Sequence, residues 1–528
     1  MKKIIFLFCL LPILSFAQIH RCATDSLHRY KLATDLNYKS NYLENEKIFE
    51  NQNFLKASIN DSTYIIPVVV HVIYHADNAE VENVSDEQVQ SQIDVLNEDF
   101  NILNENIIDV PAIWQPLVRN SKIKFILANT DTNGNYTTGI TRNETNIIGP
   151  FLAGDSRIFD SSNGGVNGWN INNYLNIWVC FLSNNYLGFY QPQISGIPNS
   201  EGIVIKCNSF GRFKNTKAPY NYGRTATHEV GHWLNLVHIW GDDNGGCSND
   251  DAISDTPKQA NSNTRCPSFP KTDACTDTAP GIMYMNYMDY TDDQCMMFFT
   301  NRQVERMKLA LSTNRQSLVT SNGLASPNIN QPDVSIDSIE NPVTYSVNRC
   351  FQPKVKIRNN GNTTQSNIAF NYAVSAGISK NYTWQDSILP GETKWVELET
   401  IGGDFGSNLF EVRIVNSDYN QVNNYKSASF RINNTSNFNC SVLSSISIYP
   451  NPVTNNTFLT VDANYSESQK ATIKIYSNDG RLVYSNEFKF NPQDKLQLSN
   501  LNLSAGIYQL EFHGELNHDV KKFVVVNK

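Results

Sequence analysis

The eleven residues HEVGHWLNLVH, at positions 228–238, set the strictest geometric condition in the sequence. The chain has nine histidines among 528 residues, and three of them lie in this stretch. His228 and His232 are four residues apart, so on a helix they lie on one face. His238 comes six residues later and does not share that face. We therefore predict a helix that ends soon after His232 and a chain reversal that brings His238 back to the same point.

Such a reversal usually needs one residue in the left-handed backbone conformation, and we place that residue at Asn235. Glycine adopts this conformation most readily, and asparagine is the next most tolerant residue. Asn235 is therefore compatible with the turn.

Three neutral imidazoles with an open fourth position are typical of a catalytic zinc site. Zinc lowers the pKa of a bound water to about 7, which makes hydroxide available at neutral pH. Glu229 follows the first histidine and reaches such a water, so it is the candidate general base that passes a proton to the leaving amine. The pattern predicts peptide-bond hydrolysis. The alternative is a coincidence on a structural helix. A bare HExxH occurs by accident at a noticeable rate, but the third histidine makes coincidence rare.

Length and charge bound the rest of the molecule. A chain of 528 residues predicts three or four domains. The net charge is −9, the isoelectric point is near 5.5, and no lysine or arginine block follows the first few residues, which argues against a nucleic-acid partner. Aromatic residues reach 11%, and the composition is that of an extracellular β-rich protein.

The first residues, MKKIIFLFCLLPILSFAQ, have the pattern of an export signal. Lys2 and Lys3 precede an apolar run that is too short to span a bilayer. Cleavage after Ala17 is plausible, and a lipoprotein reading at Cys9 is disfavoured because Phe8 before it is large. No other segment is apolar enough for a transmembrane helix. We expect an exported protein that is soluble or attached by another means.

Nine cysteines remain after the signal peptide, and in an oxidising compartment most of them should pair. The four between the zinc helix and the end of its domain allow three pairings, and they contain no CxxC that would indicate a second zinc site. Cys180 and Cys207 pair if their strands lie close, and Cys350 and Cys440 flank most of a later domain. Because nine is odd, one cysteine is left over.

Strand and helix patterns alternate up to about residue 318, which suggests an α/β layer domain. We predict strands at residues 65–74, 122–128, 175–182 and 202–206, and helices at 86–100 and 301–312. After about residue 325 short strands and turns follow without a helix pattern, as expected for a β-sandwich and a second β module.

HEVGHWLNLVH followed by NYMDY, residues 286–290, resembles the metzincin metallopeptidases and, more narrowly, the pappalysin family with its cytophagalysin-like members. The resemblance covers about residues 65–312. It implies an α+β metzincin-like catalytic domain, with a mixed sheet and a zinc helix, that acts as a zinc endopeptidase. It also implies a methionine turn at Met288 beneath the zinc and a role for Tyr290 in stabilising the oxyanion. The family usually has glycine where this chain has Asn235.

The same resemblance favours disulfides Cys247–Cys275 and Cys266–Cys295, which leaves Cys22 as the odd cysteine. A thiolate is a strong zinc ligand, so Cys22 in the leader would occupy the open position and hold the enzyme latent. Related peptidases carry a similar leader cysteine. The alternative is an unpaired or intermolecular thiol. Activation would require a cut between about residues 50 and 64, with Lys56 as one candidate.

The loop GDDNGGCSNDDAISDTP, residues 241–257, is dense in oxygen ligands of the kind that Ca²⁺ prefers. Family members bind calcium in this region, and the alternative is a solvated acidic loop. The candidate calcium ligands are Asp242, Asp243, Asp250, Asp251, Asp255 and Thr256.

The last module resembles the type-A sorting domain of the type IX secretion system. The matching segments are IYPNP at 448–452, NDGRLVY at 478–484, LSAGIYQLEF at 503–512 and KKFVVVNK at 521–528. The resemblance implies passage through the outer membrane of a Gram-negative bacterium, removal of the tail, and release or surface attachment. The alternative is an ordinary Ig-like adhesive module.

These observations predict a secreted zinc endopeptidase made as a latent precursor, acting on proteins or peptides, with a surface adhesin carrying a vestigial zinc site as the alternative. Asp292 and Asp293 follow the methionine turn, and we hypothesise a preference for Lys or Arg after the scissile bond. The predicted segments are a signal peptide at 1–17, a propeptide at 18–60, the catalytic domain at 61–320, an Ig-like β-sandwich at 330–440 and the sorting domain at 444–528.

Overall fold

A computed structural model gives the fold of the chain. It describes residues 20–526 except 52–61, 184–185, 213–214, 243–244, 326–330, 347–348, 376, 378, 434–446, 450, 455–458, 463–468, 491–494, 499–500, 502 and 515–517. The predicted signal peptide, Lys56 and Cys440 lie outside the described residues. Within the described part of the chain, every helix is too short or too polar to cross a bilayer.

A mixed sheet of seven strands, in the order β1-β6-β7-β5-β2-β3 with β4 also paired to β2, forms the centre of the first unit. Strands β2, β5 and β7 are continuous apolar runs because both of their faces are buried. The bounds are β1 His20–Cys22, β2 Tyr64–Tyr74, β3 Ile123–Leu127, β4 Ile140–Glu144, β5 Leu175–Cys180, β6 Tyr186–Gln191 and β7 Gly202–Lys206.

Strands β6 and β1 form one edge of this sheet, and β1 comes from the leader. Strand β6 runs antiparallel to β7, whereas β2, β3, β4, β5 and β7 are mutually parallel. The three-residue strand β1 comes from the leader and lies parallel to β6, with Cys22 paired to Gly188. The leader therefore extends the sheet of the domain that it precedes.

Seven helices accompany the sheets in the described residues. The long helix α4 begins where Ser85 accepts a hydrogen bond from the backbone N–H of Gln88, and α6 begins at a capping box between Thr300 and Gln303. Both helices have the extent expected from sequence. The bounds are α1 Thr24–Thr34, α2 Leu36–Asn51, α3 Ala79–Glu82, α4 Asp86–Phe100, α5 Arg224–Trp233, α6 Asn301–Thr313 and α7 Gln316–Val319.

The main core lies between the sheet and helices α4 and α5. Ile93 of α4 and Val230 of α5 pack with alternate residues of the sheet strands, while the opposite face of the sheet forms a second core around Trp178. Cys207 belongs to the first core and Cys180 to the second. Both are free thiols, so the pairing that we considered for them is absent even though their strands are neighbours.

Residues 331–433, here called the β domain, form two larger sheets that share one core, with strand orders β14-β11-β8 and β13-β12-β16-β17-β9. Its bounds are β8 Val334–Asn341, β9 Tyr345–Ser346, β10 Cys350–Phe351, β11 Lys354–Asn359, β12 Gln365–Val374, β13 Lys380–Ile388, β14 Thr393–Glu397, β15 Ile401–Gly402, β16 Gly406–Ile414 and β17 Tyr425–Ile432. Cys350 is disulfide-bonded.

The β domain rests on helix α4 through strand β17. The backbone N–H and the hydroxyl of Ser427 both donate to Asp94, at 2.9 and 3.0 Å, and the hydroxyl of Ser429 donates to Glu98 at 2.6 Å. Lys426 pairs with Asp94 at 3.2 Å. The outer face of α4 is thus an acidic surface covered by the β domain.

The C-terminal module is also built from β-strands only, within the residues described there. Strands β21 and β22 form a hairpin whose turn contains Asp479-Gly480, with Gly480 at φ +80°. The bounds are β18 Ser447–Tyr449, β19 Val453–Thr454, β20 Leu459–Asp462, β21 Gln469–Ser477, β22 Leu482–Phe490, β23 Lys495–Leu498, β24 Gly506–Gly514 and β25 His518–Val526.

Candidate metal centre and active site

Helix α5 ends at Trp233, and the chain reverses where the sequence predicts it. Asn235 has φ +70°, in the left-handed region. The backbone N–H of Leu236 then donates to the carbonyl of Gly231 at 3.0 Å, which closes the turn. Arg306 of α6 donates to the carbonyl of Asn235 at 2.7 Å and holds the turn from outside.

The reversal brings His228, His232 and His238 together in a buried cluster. The Nε2 atom of His232 lies 3.1 Å from the Nε2 atoms of both other histidines. Each Nδ1 faces an acceptor: the carbonyl of Tyr287 at 2.7 Å, the carbonyl of Leu236 at 2.9 Å and the carboxylate of Asp242 at 2.8 Å, respectively.

This arrangement fits a zinc ion. Since each Nδ1 carries the hydrogen that it donates, the three Nε2 atoms present lone pairs to one another, and only a shared cation makes that favourable. Tetrahedral coordination with Zn–N of about 2.0–2.1 Å separates two ligand nitrogens by about 3.3 Å, close to the observed spacing. Burial lowers the pKa of His232 to about 3 and that of His228 well below its usual value, so both rings are neutral at pH 7.

Cys22 supplies a fourth donor. Its Sγ and the three imidazole nitrogens all lie within 4.8 Å of one another, and all four residues are buried. Strand β1 sets this position, because its pairing with β6 places Cys22 opposite Gly188. A Cβ on Gly188 would lie 3.1 Å from the Glu229 side chain, so strand β6 passes very close to helix α5 here.

Glu229 is fully buried beside the metal ligands. One carboxylate oxygen accepts from the hydroxyl of Thr24 at 2.9 Å and from the thiol of Cys22 at 3.3 Å. Its other oxygen has no hydrogen-bond partner among the described residues. Burial raises the pKa of Glu229 to about 7. The leader thus places Cys22 beside the three histidines and provides both hydrogen-bond donors of the Glu229 carboxylate.

Tyr290 faces the same centre from the turn after Met288. Its hydroxyl lies 3.3 Å from the carbonyl oxygen of Cys22 and 3.1 Å from His238 Nε2. Met288 is fully buried, and a Cβ at Gly231 would come within 2.5 Å of its sulfur. The methionine therefore packs directly against helix α5 at Gly231.

Sequence reasoning missed several residues around this centre. Trp240 stacks on His238 with ring centroids 4.3 Å apart and the planes inclined by 7°. Asp242, predicted as a calcium ligand, is instead the hydrogen-bond partner of His238. Neither residue belongs to a periodic pattern, so the only available signal was proximity to the third histidine.

Arg21 of the leader was also missed. It is almost fully buried, forms an ion pair with Asp293 and donates to the carbonyl of Thr291 at 2.6 Å. The other carboxylate oxygen of Asp293 accepts from the backbone N–H groups of Tyr222 and Arg224, at the start of the zinc helix. Of the two aspartates singled out from sequence, Asp293 therefore contacts the leader.

The candidate calcium ligands are dispersed in their contacts. Asp255 accepts from the hydroxyl of Thr300 and the N–H of Arg302, at the start of α6. Asp250 pairs with Lys258, and Asp243 lies outside the described residues. Asp251 accepts from Thr256, and its second carboxylate oxygen is buried without a partner among the described residues. Among the candidate ligands that the structure describes, Asp251 and Thr256 are in direct hydrogen-bond contact.

The loops below the centre are cross-linked by Cys247–Cys275 and Cys266–Cys295, the pairs that the family resemblance implied. A cavity of about 950 Å³ lies between the leader helices and the catalytic domain, and His232 and His238 are among its lining residues. Its lining includes Asp25, Tyr38, Tyr190, Glu201 and Trp233.

Comparisons with known proteins agree with this geometry. The family model described as pregnancy-associated plasma protein-A, that of the pappalysins, matches residues 161–312, and the secretion system C-terminal sorting domain matches residues 447–526. An extracellular metalloprotease of Verticillium alfalfae is 30% identical over 277 residues, which cover 51% of this chain and 82% of that protein. One of Arthroderma gypseum is 29% identical over 274 residues, covering 50% and 78%.

Among solved structures, a promirolysin variant of Tannerella forsythia is 44% identical with a TM-score of 0.52, and the match covers 58% of this chain and 98% of that one. This similarity supports a metalloprotease fold made as a precursor. The chain belongs to the pappalysin family and is a metalloendopeptidase that carries a type IX sorting domain over residues 447–526.

Proposed function

We propose that this protein is a secreted, metzincin-like zinc endopeptidase, held latent by its own leader. The observation that carries the proposal is the convergence of three imidazole Nε2 atoms and the Cys22 thiol, all within 4.8 Å. Zinc, when bound by His228, His232 and His238, supplies Lewis acidity toward a water and toward the substrate carbonyl.

The remaining chemistry belongs to residues of the chain. Once the leader is gone, the carboxylate of Glu229 is free to accept a proton from water and return it to the leaving nitrogen. The Tyr290 hydroxyl, which faces the Cys22 carbonyl in the precursor, is placed to donate to the oxyanion of the tetrahedral intermediate.

Latency follows from what the leader occupies. Cys22 takes the position that water needs, and Thr24 and Cys22 together occupy the carboxylate of Glu229. Removal of the leader, cut within the predicted window at residues 50–64, would release both. The sorting domain would direct export by the type IX machinery of a Gram-negative bacterium.

Specificity after the scissile bond is proposed for Lys or Arg. The support is Arg21, whose guanidinium fills a buried site formed by Asp293 and the Thr291 carbonyl and lies over the ring of Tyr220. Peptide-library profiling tests this: the activated enzyme should favour basic residues there, and Asp293→Asn should lose that preference.

A calcium ion near residues 250–257 remains a prediction, supported by the unpartnered buried oxygen of Asp251. Burial raises the pKa of Asp251 to about 7, because the buried carboxylate has lost most of its hydration. A bound cation would stabilise its ionised form. Added Ca²⁺ should raise the unfolding temperature of the wild-type chain, and Asp251→Asn should abolish that increase.

The central experiment uses the activated protein with casein as substrate. Glu229→Gln keeps the size of the side chain and removes the base, so cleavage should fall by at least about 1,000-fold, as for other single acid–base knockouts. Glu82→Gln makes the same change at another buried glutamate, whose carboxylate accepts from the backbone N–H of His75, and this control should cleave casein at the wild-type rate. Cleavage by Glu229→Gln at the wild-type rate would refute this site.

A further inference from the structure

Asp99, near the end of α4, is a buried carboxylate that joins α4 to two elements of the active centre. One of its oxygens accepts from the hydroxyl of Thr227 at 2.7 Å, and the other accepts from the hydroxyl of Tyr287 at 2.8 Å. Arg224 Nε lies 3.4 Å away and completes an ion pair. Asp99 is 4% exposed, and these partners come from the zinc helix and from the turn that contains Met288.

Both hydrogen bonds end one step from a metal ligand. Thr227 immediately precedes His228 in helix α5, so its hydrogen bond to Asp99 holds the helix backbone next to this ligand. The carbonyl of Tyr287 accepts from His228 Nδ1 at 2.7 Å, so the hydrogen bond from the Tyr287 hydroxyl fixes the acceptor that orients the ring. Asp99 therefore acts on His228 from two directions.

A buried carboxylate is costly unless its oxygens are satisfied, and here each oxygen has a defined donor. A buried carboxylate with both oxygens hydrogen-bonded holds its donors in one geometry, because moving a donor away leaves a buried charge without its hydrogen bond. Partners of a metal-bound histidine fix the orientation of the ring and its affinity for the metal. Asp99 does not contact His228 itself. It accepts from the hydroxyl of Tyr287, whose carbonyl is the hydrogen-bond partner of His228.

We propose that Asp99 is a positioning residue of the metal site, which holds the zinc helix and the methionine turn in register so that His228 points at the ion. This inference rests on the zinc site proposed above. It assigns no contact with substrate to Asp99.

The same helix offers a matched control. Asp94 is also a buried aspartate on α4, but its carboxylate accepts from Ser427 and pairs with Lys426 of the β domain. Asp94→Asn and Asp99→Asn make the same chemical change in the same helix, one toward the β domain and one toward the metal centre.

The experiment measures zinc affinity of the full chain by competition with a chromogenic chelator, and the visible d–d absorption of the Co²⁺ form. Asp99→Asn should weaken zinc binding by about ten-fold or more and shift the Co²⁺ absorption bands. Mutation of the residues that hydrogen-bond to metal ligands typically lowers metal affinity by about 10–100-fold. Asp94→Asn should stay within about two-fold of wild type. Wild-type affinity and spectrum in folded Asp99→Asn would overturn the proposal.

Two milder variants decide the matter if Asp99→Asn does not fold. Tyr287→Phe and Thr227→Val each remove one donor with little change of shape, and each should weaken zinc binding by about three-fold, a fraction of the full effect. Unchanged affinity in both variants would overturn the proposal. Failure of the wild-type chain to bind zinc would instead refute the proposed function, so the two failures are distinguishable.

Discussion

The two parts of the leader contact the catalytic domain in different ways. Residues 21–24 are buried, and they engage Asp293, the histidine cluster and Glu229 within four positions. Helices α1 and α2, in contrast, leave Tyr30 66% exposed and Leu36 82% exposed, and they lie over a cavity of about 950 Å³.

This difference indicates where latency resides. Interactions in a dry, fully buried site are strong, whereas exposed polar contacts contribute little. The helices are attached by contacts such as Lys31 to the carbonyls of Pro192 and Gln193, and Glu46 to Arg306. The comparison predicts that substitutions in residues 21–24 activate the precursor and that substitutions in the helices do not.

Cys22→Ala should have the largest effect. Removing the thiol opens the fourth position beside the histidines and takes away one of the two leader contacts of Glu229, so that only the hydrogen bond from Thr24 remains. Activity of the intact full-length precursor on a fluorogenic peptide should therefore rise by about 100-fold or more. Cys180→Ala, at another buried free thiol, is the control and should remain latent. A silent Cys22→Ala precursor would show that the helices suffice to block the site.

Arg21→Met should have an intermediate effect. The substitution keeps an extended side chain and removes the ion pair with Asp293, and hydrogen bonds to charged groups contribute about 1.5–3 kcal/mol. Precursor activity should rise by about ten-fold in the same assay. Arg21→Lys should recover part of the latency, and an equal rise in both variants would contradict a role for the charge.

Glu46→Gln should have the smallest effect. The pair with Arg306 is partly exposed, and such pairs contribute about 0–1 kcal/mol. Precursor activity should change by less than about two-fold. An activation as large as that of Arg21→Met would mean that α2, and not the residues around Cys22, carries the block.

Local rules predicted much of this architecture. The helix of the histidines, its end near Trp233 and the left-handed Asn235 follow from spacing and backbone preference. The predicted extents of α4 and α6 follow from the helix pattern of their sequences and agree with the structure to within one residue. These features depend on residues that are close in sequence, so their physical causes are visible there.

The parts that escaped prediction depend on distant partners. Strand β1 has three residues and exists only because β6 pairs with it. Strand β6 itself is short, and its sequence includes Gly188 and Gln191. Arg21 and Asp99 are single charged residues whose partners lie far along the chain. Contacts between residues so far apart in sequence cannot be predicted from residue spacing. The domain boundaries and the signal peptide remain predictions.

The central claim is that one zinc ion is held by the imidazoles of His228, His232 and His238. Elemental analysis of the purified full-length chain, beside the His228→Ala/His232→Ala/His238→Ala variant, tests it most directly. The account predicts about one zinc per wild-type chain, from the donor set in the site, and a loss of that zinc in the triple variant. A wild-type chain that holds no zinc, or a triple variant that retains its zinc, would contradict the account.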